Sequence, residues 1–153
     1  MCGDNKRGQL GIPLESLTPD KVEGTLVRVP LAIGEPLRDP SDKGAPKVRI
    51  VAVSAGRDHS LCLSEEGRAF AFGAATDGQL GLSTSNVAMD RDVFEPTQVE
   101  SLKRTRLTGV AAGQSHSLFL SGDGAVWSTG KADNGALGLG NVKVAHSPKA
   151  VKR

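Results

Sequence analysis

Ala55-Gly56-Arg57-Asp58-His59-Ser60-Leu61-Cys62-Leu63-Ser64-Glu65-Glu66-Gly67 decides the reading of this chain of 153 residues, because it returns later with its landmarks intact. The second copy is Ala112-Gly113-Gln114-Ser115-His116-Ser117-Leu118-Phe119-Leu120-Ser121-Gly122-Asp123-Gly124. Gly56 recurs as Gly113, His59 as His116, Gly67 as Gly124 and Gly73 as Gly130, each 57 residues on. The register holds as far as Gly78-Gln79-Leu80-Gly81-Leu82, which returns as Gly135-Ala136-Leu137-Gly138-Leu139. A third, partial copy opens the chain as Gly3-Asp4-Asn5-Lys6-Arg7-Gly8-Gln9-Leu10-Gly11, 70 residues ahead of Gly73 to Gly81. A repeat of this length is a supersecondary unit that cannot bury its own apolar face and must stack on its neighbours. Function then rests on a surface shared by several units rather than on a pocket within one.

Each copy reads as a series of short strands. Val48 to Ala55 is rich in β-branched residues and stops at Gly56; Ser60 to Leu63 is closed by a turn at Glu65-Glu66-Gly67; Arg68 to Phe72 alternates and stops at Gly73. The second copy repeats the order with Leu107 to Ala112, Ser117 to Leu120, a turn at Gly122-Asp123-Gly124, and Ala125 to Thr129. A fourth strand is placed after Pro96, over Thr97 to Leu102, with a weaker counterpart at Pro148. Pro is compatible with the first residue of a strand or with an edge. Strands at this spacing with glycine turns predict an antiparallel meander, and four per repeat is the arithmetic of a propeller blade.

The predicted fold is therefore all-β, a partial β-propeller of about two and a half blades, each a four-stranded antiparallel sheet. Residues 1–11 read as the end of a preceding blade, 47–103 as one repeat and 104–153 as another with a degenerate C-terminal end. Residues 12–46 differ. They hold six of the eight prolines and no clean period, which fits an insertion with an outer strand and an expanded loop. Residues 83–95 form a smaller polar insertion of the same kind.

These residues resemble the regulator of chromosome condensation repeat, a β-propeller family. The shared pattern is a small residue, Gly, two variable residues, His, a hydroxyl residue, apolar residues and a turn glycine, then an aromatic-Gly pair and Gly-Gln-Leu-Gly. Residues 49–82 match it closely, and 106–139 match it with losses. Thr129 stands where the aromatic belongs, and Ala136 where Gln belongs. These losses predict a degenerate last blade with a weak or missing outer strand. The family closes a ring of seven repeats, so the chain reads as a piece of a larger propeller, a truncated product, or a chain that assembles with copies of itself to complete the ring.

The resemblance implies a non-enzymatic protein-interaction module that binds a partner through loops at one end of the propeller. In this chain those positions are Arg57, Asp58, His59, Gln114, Ser115 and His116. Read from the residues alone, His59 and His116 are turn histidines that hydrogen-bond backbone groups. Two alternatives accompany the main reading. One is a guanine-nucleotide exchange factor, or a piece of one, for a Ran-type small GTPase, possible only for a complete ring. The founding member docks such a GTPase at this end, and an acid at the position of Asp58 could compete for its phosphate-loop Lys. The other is a regulatory domain of a larger multidomain protein, such as a ubiquitin ligase or kinase. The basic cluster Lys103, Arg104 and Arg106 offers weak, salt-sensitive contact to DNA or histones, against the plainer reading of a solvated loop.

Composition narrows the remaining classes. A net charge of +2 is too small to argue for nucleic acid, and no apolar run approaches the ~18 residues of a membrane helix. The chain opens with no charged-then-apolar leader, and two cysteines, Cys2 and Cys62, make no disulfide framework. The expected setting is intracellular and reduced, cytoplasmic or nuclear. Three histidines and two cysteines show no metal spacing, and no phosphate loop, calcium loop or nucleophile elbow is present. No catalytic residue, cofactor or metal is therefore expected.

Overall fold

The computed structural model describes residues 6–11, 48–82 and 92–152. They form two four-stranded antiparallel sheets with strands in chain order and no crossover. The first contains β1 (Ile50–Ala55), β2 (His59–Ser64), β3 (Ala69–Gly73) and β4 (Val93–Gln98). The second contains β5 (Leu107–Ala112), β6 (His116–Ser121), β7 (Val126–Lys131) and β8 (Val144–Ala150). The Pro-rich stretch 12–46 and residues 83–91 of the smaller insertion lie outside the described residues.

The sequence repeat is a repeat of register. Ser60 pairs with Phe72 as Ser117 pairs with Thr129, and Cys62 with Phe70 as Phe119 with Trp127. The ladder between the first two strands slips at Ile50/Ala52 and again, 57 residues on, at Leu107/Gly109.

The two sheets share one core. Side chains alternate across a strand, so β6 points Ser117, Phe119 and Ser121 to one face and Leu118 and Leu120 to the other. The Phe119 face packs on the first sheet, where Leu61 and Leu63 are buried with it, and Leu107 and Trp127 of its own sheet join the same cluster. This is the stacking that the repeat requires, and it places Trp127 in blade packing. Cys62 is a free thiol in that core, and burial pushes its pKa up to about 11, which keeps it protonated and unreactive.

Two expectations about the outer strands are corrected. The fourth strand of the first blade runs over Val93–Gln98 instead of Thr97 to Leu102, and Glu100–Leu102 is a 3-10 turn. Val99 and Leu102 are both buried, and a turn with three residues per revolution brings them to the same side, which an extended strand cannot do. Pro96 sits inside the strand because β4 is outermost, with one edge unpaired.

The second correction concerns the last blade. Its outer strand is present: β8 pairs with β7 through Gly130–Ala145 and Trp127–Ala150. Thr129 explains why. Its buried hydroxyl lies 2.7 Å from the carbonyl oxygen of Ala145 in β8 and 2.9 Å from that of Gly78 in the preceding blade. The residue that replaces the aromatic supplies a polar clamp on the outer strand.

Candidate protein-binding rim

The turns after β1 and β5 lie at one end of the sheets, beside the start of the β3–β4 and β7–β8 connections. Ala74 N–H donates to the carbonyl of Asp58 at 2.8 Å, and Lys131 N–H to that of Ser115 at 2.8 Å. Each turn is closed by its glycine, whose N–H donates to the carbonyl of the following His at 2.8 Å in both copies. Gly56 has to be glycine for want of space: a Cβ there would stand 2.4 Å from the carbonyl oxygen of Gly113 and 2.4 Å from the His59 ring.

The Gly-x-x-Gly turns complete this end. Gly11 N–H donates to Gly8, Gly81 to Gly78, and Gly138 to Gly135, at 2.9 to 3.0 Å. All six glycines have positive φ, between 63° and 78°, a region open to glycine at little cost. The Gln side chain braces the turn from within: Gln9 Oε1 accepts from Arg7 N–H at 2.9 Å and Gln79 Oε1 from Asp77 N–H at 2.8 Å. Ala136 has no such acceptor to offer.

The first two turns are each held by a serine of the blade that follows. Ser60 Oγ donates to the carbonyl of Gln9 at 2.8 Å, and Ser117 Oγ to that of Gln79 at 2.7 Å. His59 joins the second of these. Its Nε2 lies 2.9 Å from Ser117 Oγ, whose proton is already committed to Gln79, so His59 carries its own proton on Nε2 and donates it. The chain His59 to Ser117 to Gln79 crosses the blade interface. Nδ1 is then a buried acceptor with no hydrogen-bond partner among the described residues. Burial first, and the neighbouring His116 second, lower the His59 pKa to about 4. Replacing Ser117 by Ala strands the His59 donor and the Gln79 carbonyl, and is expected to cost about 2 kcal/mol in urea unfolding. Ser121→Ala, whose hydroxyl serves a local turn with Asp123 and Ala125, is the comparison.

The six residues read from sequence therefore separate. His59 is 1% exposed, and its side chain belongs to the interface between blades, with its Nε2 on a serine hydroxyl. His116 is half-buried. Arg57 and Gln114 are exposed, and Asp58 and Ser115 are partly so. Arg57 Nε stands 3.5 Å from Asp58 Oδ2, an exposed pair of little energetic weight that still balances the acid locally. Sequence reasoning missed Arg7 and Asp92, which join the opening turn to the start of β4 by two contacts of 2.6 and 3.0 Å. No periodic signal links them, since they lie 85 residues apart. Lys103, Arg104 and Arg106 are exposed at the opposite end, where Leu107 N–H donates to Gly67 and Gly122 N–H to Arg106. Lys103 is paired there with Glu100 at 2.9 Å. Among the described residues no group of three or more His, Cys, Asp or Glu could hold a metal, and no helix is long and apolar enough to cross a membrane.

The pattern of the Regulator of chromosome condensation (RCC1) repeat matches residues 1–63 and 66–120. The chain belongs to this family. A second pattern of the same repeat matches 50–79 and 108–136, the two copies of the β1–β3 region and its turn. Among relatives, the chain is 37% identical to the human "Probable E3 ubiquitin-protein ligase HERC6" over 140 residues, 91% of this chain and 11% of that protein. It is 31% identical to human "E3 ubiquitin-protein ligase HERC2" over 151 residues, 99% of this chain and 3% of that one. Among solved structures, Prp20p from Saccharomyces cerevisiae, described with its binding properties to Gsp1p and histones, superimposes with a TM-score of 0.71 at 27% identity. That match covers 99% of this chain and 33% of Prp20p. Human WBSCR16 shares the fold, with a TM-score of 0.68 at 23% identity. The RCC1-repeat chain thus spans 11% and 3% of these two ligases and about a third of the solved propellers.

Proposed function

We propose that this chain is a non-enzymatic recognition segment of an RCC1-type propeller, acting inside the cell as the regulatory part of a larger protein of the ligase type. It holds a protein partner through the rim bearing Arg57, Asp58, Gln114 and Ser115. One observation carries this reading. The residues that repeat in register, Gly56, His59, Ser117 and Gly130, are spent on joining blade to blade. Within the Gly-x-x-His turn, the two positions that vary between copies lie at the rim, with Arg57 and Gln114 exposed and Asp58 and Ser115 partly so. A turn that keeps its Gly and His and varies the pair between them leaves that pair free to be set by a partner. The exchange-factor alternative draws less support, since the one rim acid in these turns stands beside Arg57 and Gln114-Ser115 brings no second.

The test is site-specific photocrosslinking in cells, with the probe at position 57, 114 or 104. Positions 57 and 114 are expected to trap the same discrete protein, and Asp58→Lys with Gln114→Glu to abolish it. Adducts from 104 alone would move the binding surface to the basic end. Accelerated release of a fluorescent guanine nucleotide from a Ran-type GTPase by the purified chain would instead establish the exchange reading.

A further inference from the structure

Asn134 is the one asparagine of the chain that precedes a glycine; Asn5, Asn86 and Asn141 precede Lys or Val. An asparagine amide is chemically labile when the next residue has no side chain, because the next peptide nitrogen can then reach its Cγ. Whether it does so in a folded chain depends on how firmly the turn is held. Two comparable turns are held. In Asp77-Gly78, Gln79 Oε1 accepts from Asp77 N–H at 2.8 Å. In Asp123-Gly124, the Asp123 carboxylate accepts from Ser121 Oγ and from Ala125 N–H, which ties the side chain down.

Asn134-Gly135 has neither restraint. Ala136 stands where Gln9 and Gln79 brace the earlier turns, and the Asn134 side chain makes no hydrogen bond among the described residues. Asn134 has φ of 54° and ψ of 31°, alone among the described non-glycine residues in the left-handed region, so its backbone departs from the frame that Arg7 and Asp77 keep. It is also exposed. That exposure does not require an uncovered blade: Asp77, its counterpart, stays partly open to solvent although a Cβ on Gly78 would meet His146 of the next blade at 2.9 Å.

We propose that Asn134 is a self-modification site, deamidated by the chain's own backbone and water. The Gly135 nitrogen attacks Asn134 Cγ and gives up its proton. A C–N bond forms, the bond to the side-chain nitrogen breaks, and ammonia leaves with that proton. Water then opens the cyclic imide at either carbonyl, which yields aspartate or isoaspartate at position 134. The product adds a carboxylate beside Asp133, which already pairs with Lys131 at 3.1 Å. Lys131 N–H in turn holds the Ser115 carbonyl, so the new charge arises next to the rim. The inference concerns the turn's own chemistry and stands whether or not the rim holds a partner.

The experiment keeps the full chain folded in mildly alkaline buffer and follows the tryptic peptide 132–143 by mass spectrometry, with isoaspartate methyltransferase labelling. The same peptide carries Asn141, exposed and followed by Val142, as an internal standard. Conversion at Asn134 is expected to run about tenfold or more ahead of Asn141, and within about threefold of the free synthetic peptide. Ala136→Gln, which restores the missing acceptor, is expected to slow it by about threefold or more with an unchanged circular dichroism spectrum. A folded chain that keeps its Asn134 amide while the free peptide loses it, conversion at Asn141 as fast as at Asn134, or a folded Ala136→Gln protein that converts at the parent rate would each overturn the proposal.

Discussion

Gly130→Ala is expected to cost this chain about 3 kcal/mol or more of folding stability, a larger loss than Ser117→Ala or Gly135→Ala brings. Gly130 has φ of +106°, outside the range that a side chain accepts. A Cβ there would stand 2.4 Å from the carbonyl oxygen of Ser115, 2.6 Å from the Cα of His116 and 3.2 Å from the Cα of Gln79. All three are backbone atoms, so no rotamer change relieves the overlap, and the Gln79 contact lies across the blade interface. Strain at such a φ costs ~1–3 kcal/mol and forced overpacking a similar amount, so about 3 kcal/mol or more is at stake in a fold whose whole margin is ~5–15 kcal/mol. Gly135→Ala separates the two causes. Its φ is also positive, at +76°, with nothing described within 4 Å, so it carries backbone strain alone. Urea unfolding should show a loss for Gly130→Ala at least twice that of Gly135→Ala. Equal losses would mean that blade contact adds nothing to the demand for glycine here.

Much of this was legible because the repeat states the frame twice. Gly56, His59 and Gly73 recur in register because each touches a neighbouring turn or blade, and the interface contacts impose the spacing. The inner three strands follow from that frame to within a residue or two. The outer strands did not, for a physical reason. β4 and β8 pair on one side only, tolerate Pro96 and Pro148, and follow connections of different length, so neither periodicity nor spacing marks them. The clamp that holds β8, the Thr129 hydroxyl, registers in sequence only as the loss of an aromatic. The rim was legible as a place and not as a set of contacts. His59 repeats because it is interior, and the identity of its acceptor, Ser117, depends on how the blades stack, which no single repeat encodes.

His59 also makes the stability of the interface depend on pH in a direction that can be worked out. Its folded pKa, about 4, lies below the 6.5 of an unperturbed imidazole, because burial first and His116 second disfavour the charged ring. Between these two values the unfolded chain takes up a proton that the folded chain refuses, so stability is fully present above about pH 6.5 and falls as pH drops toward 4. The full difference corresponds to about 3 kcal/mol, reached only at the acid end of the window. The lowered carboxylate pKa values of Glu66 and Asp123 add their own loss in more acidic solution, below the ordinary carboxylate range. His59→Gln isolates the imidazole: its amide N–H can still donate to Ser117 Oγ, and it has no proton to gain. Urea unfolding of the parent should weaken steadily from pH 7 to pH 5, whereas His59→Gln starts lower and stays level across that interval. A parent that holds its stability down to pH 5, or a variant that retains the same slope, would mean that His59 is not the group that couples protons to the joining of the blades.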